Sequence, residues 1–288
     1  MPSETGRLLP AQTRRREATA CPAVAGTGLW VPDWRLPPGV RALMSTRHAG
    51  GASGAPCDDF NLAWPSPSVP DEARAVRANR EHFARALGAR PVFLHQVHGR
   101  AVVDLGDGVA PSQAHVPEAD AAISARPGLA CAVLVADCAP VLLCSDDGRV
   151  VGAAHAGWRG LAQGVVEAAV ARLCERAACS PASVSAWIGP CIGRTQFEVG
   201  ADVHAAFDSL ASAQRARAFT ACTRRDGSAG WKADLPMLVS LRLAMAGVAR
   251  VCGGSWCTVS DPSRFFSFRR DGRCGRMAAA IAPVDPGR

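Results

Sequence analysis

The chain has 288 residues, 48% of them hydrophobic, and carries a formal charge of +7. That apolar content suffices for a sizeable core and excludes wholesale disorder, while no apolar run approaches the about 20 residues a bilayer crossing needs. Lys232 is the single lysine and tyrosine is absent, so the charge is nearly all scattered arginine without a nucleic-acid motif; neither nucleic acid nor membrane is expected as a partner, whereas small anions such as phosphate suit it.

The first stretch, residues 1–27, is polar, arginine-rich and unpatterned, and reads as a disordered extension. Arg7, Arg14, Arg15 and Arg16 are followed by no apolar run of signal-peptide type, so a cytoplasmic location is expected. Order is expected from about Trp30, with a single catalytic domain over residues 28–285. Asp58 to Pro70 is loop-like. Pro70, Asp71 and Glu72 then open a helix, Val76, Phe83 and Leu87 form its apolar stripe, and Gly88 closes it. Pro91 to Val97 reads as a strand.

Three short apolar runs follow, Cys131 to Ala136, Val141 to Cys144 and Val150 to Ala154. Ser145-Asp146-Asp147-Gly148 is a turn signal, so the last two runs pair as a hairpin. Folding the chain about that turn places His155 opposite residues near Pro140, with Cys138 within a residue or two of the same sheet end. A helix is expected from Leu161 to about Arg176, with Leu161, Val165, Ala169 and Leu173 inward. Another starts at Asp234 as N-cap and runs through Leu238, Leu241 and Met245 to Gly247. Phe265 to Ile281 reads as two strands joined at Asp271-Gly272. With no internal repeat, the expected fold is one mixed α/β (α+β) domain, a β-sheet core flanked by helices.

Twelve cysteines in a chain of this length do not make a small disulfide scaffold, and no CxxC pair is present. Cys131, Cys144 and Cys174 lie inside apolar patterns and read as buried, reduced thiols. Cys191, in Gly189-Pro190-Cys191-Ile192-Gly193, has no adjacent histidine to activate it and reads as structural.

Chemistry-bearing residues concentrate in His95-Gln96-Val97-His98-Gly99, Ala136-Asp137-Cys138-Ala139-Pro140 and His155-Ala156-Gly157-Trp158-Arg159-Gly160. Histidine nitrogen and cysteine thiolate are zinc donors, and a catalytic zinc keeps three protein ligands and one open position. Within a strand His95 and His98 point to opposite faces, so one of them at most joins Cys138 and His155, and spacing does not choose between them.

Taken with Ser45-Thr46-Arg47, Gly50-Gly51, Asn61-Leu62, Asn79-Arg80, Ala119-Asp120-Ala121, Ile188-Gly189-Pro190, Phe197-Glu198-Val199-Gly200, Asp234-Leu235, Cys257-Thr258, Phe266-Ser267-Phe268-Arg269-Arg270-Asp271-Gly272 and Gly275-Arg276, these segments resemble the laccase-domain, or polyphenol-oxidase-like, family over about Trp30 to Ile281. Bacterial members of that family are also called peptidoglycan editing factors and purine nucleoside phosphorylases. The resemblance implies the laccase-domain (cysteine-hydrolase-like) fold, with zinc on His98, Cys138 and His155 rather than His95. It also implies phosphorolysis of adenosine, inosine and methylthioadenosine and deamination of adenosine. Phe197 and Phe268 depart from the family by replacing tyrosines.

On this reading His98, Cys138 and Asp137 are the catalytic candidates, with Asp137 a general acid/base or the orienter of a ligand. Arg47 and Arg159, whose forks match phosphate oxygens, and Asn61 are the substrate or phosphate-binding candidates. The alternatives are a cysteine hydrolase editing peptidoglycan precursors with Cys138 as nucleophile, and a copper-dependent polyphenol oxidase. One His/Cys/His set does not furnish several copper sites, although copper(II) out-competes zinc at most such sites in vitro.

Overall fold

A computed structural model describes residues 28–106 and 116–285; the expected N-terminal extension, residues 1–27, lies outside the described residues. Two mixed sheets stack face to face. The first has the order β1 (Leu29–Trp30), β2 (Val40–Ser45), β14 (Met277–Pro283), β6 (Leu129–Val135) and β3 (Arg90–Val92). The second runs β13 (Arg250–Gly253), β9 (Val184–Ile188), β7 (Ala139–Ser145), β8 (Val151–Ala156), β5 (Ala121–Ser124) and β4 (Val102–Asp104). Only the β3–β6, β4–β5 and β13–β9 pairs in these sheets are parallel.

Strand alternation assigns each side chain to a layer. On β14, Ala279 and Ile281 face the second sheet, as do Cys131 and Val133 of β6, and they meet Leu142 and Cys144 of β7 from the opposite side. Ala278, Ala280 and Ala282 face the other way, against Phe83 and Leu87 of helix α1 (Ala73–Leu87). Val141 and Leu143 of β7 point to helices α3 (Val165–Ala177) and α6 (Leu235–Met245). The layers therefore run helix, sheet, sheet, helices. Both faces of the central strands are covered, which is why their sequences read as unbroken apolar runs rather than alternating ones.

The turn-based register holds: β7 and β8 pair antiparallel with Pro140 opposite His155. Helix α1 ends at Gly88, whose φ of 70° is the left-handed cap that lets its amide reach Ala84 and Arg85. Asp234 caps α6 by accepting the Met237 amide at 2.9 Å.

Three expectations are corrected. The single helix from Leu161 is two, α2 (Trp158–Gln163) and α3, because Gly164 at φ 91° breaks the backbone between them; Leu161, Val165, Ala169 and Leu173 are all inward nonetheless. The strand over Pro91 to Val97 stops at Val92. Gln96 then takes a strand's place with its side chain, donating to the Leu134 carbonyl at 2.9 Å and accepting the Leu134 amide at 2.7 Å. At the C-terminal end, Asp271-Gly272 does not join two strands. It ends a one-turn helix, α7 (Phe268–Asp271), in which the Gly272 amide bonds the Phe268 carbonyl at 2.9 Å and Ser267 caps the start; β14 follows alone.

A small antiparallel sheet, β10 (Glu198–Val199), β12 (Ala229–Ala233) and β11 (Phe219–Thr223), packs beside the second sheet with α4 (Ala201–Ala205) and α5 (Ser212–Ala218). No helix among the described residues is long and apolar enough to cross a membrane. Leu142, fully buried between the two sheets, reports on the sandwich. Leu142→Ala is expected to lower unfolding free energy by about 2–5 kcal/mol, read from urea denaturation as a lower midpoint at an unchanged slope.

Candidate metal centre

The β7–β8 hairpin opens at the end where β8 carries His155 and the residue before β7 is Cys138. The third donor comes from a loop. His98, after the Gln96 anchor, adopts φ 61°, and its Nε2 lies 3.8 Å from Cys138 Sγ. One donor atom from each of His98, Cys138 and His155 lies within 4.8 Å of the others, the only such group of three among the described residues. Nitrogen and sulfur ligands of a tetrahedral zinc are about 3.6 Å apart at ordinary bond lengths. The donor set fits a transition metal in its chemistry, with the His98–Cys138 pair close to that spacing, and His95 takes no part, bridging Glu118 by its backbone instead.

Asp120, just ahead of β5, holds the donors in place. Its fully buried carboxylate accepts His155 Nδ1 at 2.8 Å and the backbone amides of Val97, His98 and Gly99 at 3.1, 3.0 and 2.7 Å. The first bond turns His155 Nε2 towards Cys138; the other three form the loop that presents His98. Burial opposes ionisation of Asp120, but these donors hold its carboxyl below the usual range. Burial likewise opposes charge on Cys138 and His155. Each offsets it for the other: the imidazoles of His155 and His98 hold the thiol below its ordinary range, and Cys138 with Asp120 raises His155. Elsewhere burial acts uncompensated, pushing Cys144 up to about 12 and Cys191 well above the ordinary thiol value. Cys138 alone is prepared to be a thiolate among these thiols.

Two glycines allow the close approach. A Cβ on Gly157 would lie 2.9 Å from Cys138 Sγ and 3.0 Å from His98 Cδ2, and one on Gly160 would lie 2.7 Å from the Gly99 carbonyl oxygen. The start of α2 is thus pressed against the donors and against the His98 loop.

The donors line one cavity of about 780 Å³, whose wall also includes Trp64, Phe197, Phe268, Arg159, Arg269 and Arg276. Arg159 is exposed, its guanidinium 4.5 Å over the half-buried Trp158 ring. Trp64 rests on Arg80, which is itself held between the Trp64 and Phe93 rings at 4.6 and 4.0 Å. Asp137 lines the cavity too, with φ 97° and both oxygens engaged: Thr258 Oγ1 donates at 2.5 Å and the Arg269 amide at 2.7 Å.

The structure does not bring Arg47 and Asn61 to this wall. Arg47 packs 5.1 Å from the Phe266 ring and donates to the Pro262 carbonyl at 3.1 Å. Asn61 is fully buried, accepting the Ala63 and Arg276 amides at 3.0 and 2.8 Å and donating to Asp71 at 2.7 Å, and so pins two wall segments from behind. Asp120, Arg269 and Arg276 also serve the site; each lies inside a family-like segment of the sequence, yet a carboxylate or guanidinium in such a segment does not announce what it faces.

Asp120→Asn is expected to weaken metal affinity about 10–100-fold by removing the carboxylate behind His155. Gly157→Ala should lower metal content with the far-ultraviolet dichroism of the parent retained. Metal analysis of protein purified without chelator or metal-affinity resin checks both; full occupancy in either variant would contradict the geometry.

The family model described as multi-copper polyphenol oxidoreductase laccase matches residues 41–283. A Pseudomonas aeruginosa protein named purine nucleoside phosphorylase is 44% identical over 250 residues, 87% of this chain and 96% of its own length. A Shigella flexneri protein of the same name is 43% identical over 256 residues, 88% of this chain and 98% of its own. A crystal structure of a Neisseria meningitidis protein is 39% identical and superposes with a TM-score of 0.79, covering 90% of this chain and 100% of that one. The chain therefore belongs to the multi-copper polyphenol oxidoreductase laccase family, also known as the laccase-domain family.

Proposed function

We propose that the protein is a zinc-dependent purine nucleoside phosphorylase that converts adenosine, inosine and methylthioadenosine to free base and ribose 1-phosphate (5-methylthioribose 1-phosphate from methylthioadenosine), and that also deaminates adenosine. The observation that carries this reading is the convergence of His98, Cys138 and His155 on the wall of a cavity that also bears arginines. The names of the relatives support the substrate class.

Zinc held by His98, Cys138 and His155 would supply Lewis acidity to the reaction. The chain's own residues do the rest. Asp120 fixes the tautomer and orientation of His155, and Asp137, with both oxygens engaged, positions Arg269 and Thr258. Phosphorolysis breaks the bond from C1′ to the base nitrogen and forms one from C1′ to a phosphate oxygen, the base leaving with its electron pair and taking up a proton. Arg159 faces the cavity as a donor for phosphate oxygens. Trp64, Phe197 and Phe268 on the wall offer apolar rings against which a purine can pack. Deamination replaces the C6 amino group by an oxygen from water, with loss of ammonia.

One observation favours a second reading. Cys138, His155 and Asp120 stand in the order nucleophile, base and orienter, with the thiol's proton affinity lowered. That arrangement suits a cysteine hydrolase acting on peptidoglycan precursors. A polyphenol oxidase needing several coppers finds a single three-donor group among the described residues, to which copper would bind only in place of zinc.

Phosphate-dependent release of base from adenosine and inosine tests the proposal. The expected result is about one zinc per chain, with base release falling by at least about 100-fold in Cys138→Ala and on chelation, and returning when zinc is restored to the chelated wild type. A folded protein that retains no metal and is inert on nucleosides would sink it and bring the hydrolase forward.

A further inference from the structure

We propose that Arg276, Arg269 and Arg159 together form a binding site for inorganic phosphate in the metal-centre cavity. The choice of anion rests on the phosphorylase reading above. All three side chains line the cavity that holds His98, Cys138 and His155. Among the described residues none of the three has a carboxylate within ion-pair distance, whereas Arg47, Arg74, Arg149, Arg172, Arg176, Arg242 and Arg264 each have one. Asp137 is the sole carboxylate of the cavity wall, and its two oxygens already accept Thr258 Oγ1 and the Arg269 amide. The wall therefore carries an excess of uncompensated positive charge next to the reaction centre.

The guanidinium groups are tied down in a way that leaves donors over. Arg276 is half-buried. Its Nη1 donates to the carbonyls of Cys274 and Gly275 at 2.8 and 3.1 Å, and its backbone amide is held by Asn61 at 2.8 Å. On the other edge of the fork Nη2 reaches Ser68 Oγ only at 3.5 Å and Nε has no hydrogen-bond partner among the described residues, so that edge keeps donors for a ligand. Arg269 is anchored by Nη1 to the Glu198 carbonyl at 3.1 Å and crosses the Phe197 ring at 5.4 Å, while Arg276 crosses the Phe268 ring at 5.7 Å. Aromatic faces and carbonyl anchors fix the direction of each fork without neutralising it. Preorganised, uncompensated guanidinium groups match the oxygens of a tetrahedral dianion. Arg47, the other sequence candidate, already has Asp58 within 3.7 Å and does not line the cavity.

Isothermal titration of the full-length, metal-loaded protein with inorganic phosphate tests the site, alongside the KM for phosphate and for inosine. Arg276→Ala and Arg269→Ala are each expected to weaken phosphate binding by about 10–100-fold, Arg276→Lys by less, and the surface variant Arg85→Ala by less than about twofold. KM for phosphate should rise in the first two with KM for inosine little changed. If Arg276→Ala fails to fold, Arg269→Ala, an exposed side chain, carries the test. Phosphate binding that is unaffected in both alanine variants would overturn the inference, as would acetate displacing phosphate at equal concentration. Arginine-dependent phosphate binding in a protein inert on nucleosides would keep the site and remove the phosphorylase reading. Phosphate-dependent base release with an unchanged phosphate KM in both variants would do the reverse.

Discussion

The whole site depends on a buried carboxylate with four donors. Asp120 accepts His155 Nδ1 and three successive backbone amides, and it stands where β5 begins beside β8. An ionised carboxylate in a dry interior is costly unless its lone pairs are used. Here satisfying them shapes the protein: the amides of Val97, His98 and Gly99 can point at one oxygen pair only if the chain leaves the sheet and passes through a left-handed residue. His98 at φ 61° is that residue. The strain of a non-glycine residue there, of order 1–3 kcal/mol, is offset by charge-assisted hydrogen bonds. A single side chain thus orders two of the three donors, one through its ring and the other through its backbone.

The sandwich explains why this happens at a sheet end. Both faces of β7 and β8 are covered, so a polar cavity cannot open along their length. The strand ends are where hydrogen-bond ladders stop and side chains meet a loop. Cys138 and His155 emerge there together because β7 and β8 are one hairpin. Gly157 and Gly160 then let α2 close over the donors at distances no side chain would allow. The rigidity of a four-layer core is carried to the donors by backbone, which is what a site of fixed coordination requires.

Much of this was legible in the sequence wherever the governing interaction was local. The turn at Ser145 to Gly148 sets the register that brings His155 opposite Pro140, and the Pro70 to Gly88 punctuation brackets α1. What escaped was long-range substitution of one hydrogen-bonding group for another. Pro91 to Val97 has the composition of a strand, but Gln96 satisfies Leu134 with a side-chain amide and Asp120 captures the next three backbone amides. Asp271-Gly272 has the composition of a hairpin turn, but Ser267 caps the preceding turn and Asp137, more than a hundred residues away, binds the Arg269 amide. Asn61 and Arg47 look like substrate residues in sequence because polar residues in loops often are. Their partners, Asp71, Arg276, Pro262 and Phe266, lie in other segments and turn them to structural use.

The same geometry also accounts for why metal and thiolate readings of this site converge on the same residues. A metal ligand and a nucleophile both require cysteine as thiolate, and both require histidine with its second nitrogen held by an acceptor. Asp120 meets the second requirement for His155, and the paired imidazoles meet the first for Cys138. They diverge over His98. A thiolate nucleophile needs one base, already supplied by His155, whereas a tetrahedral metal needs a third donor. The chain spends a left-handed backbone and three amide bonds on bringing His98 Nε2 to 3.8 Å from the sulfur. For a metal that arrangement supplies the third donor a closed set needs, whereas for a nucleophile it only adds a second imidazole beside a thiol that His155 already serves, and this is the ground on which the metalloenzyme reading stands ahead of the hydrolase.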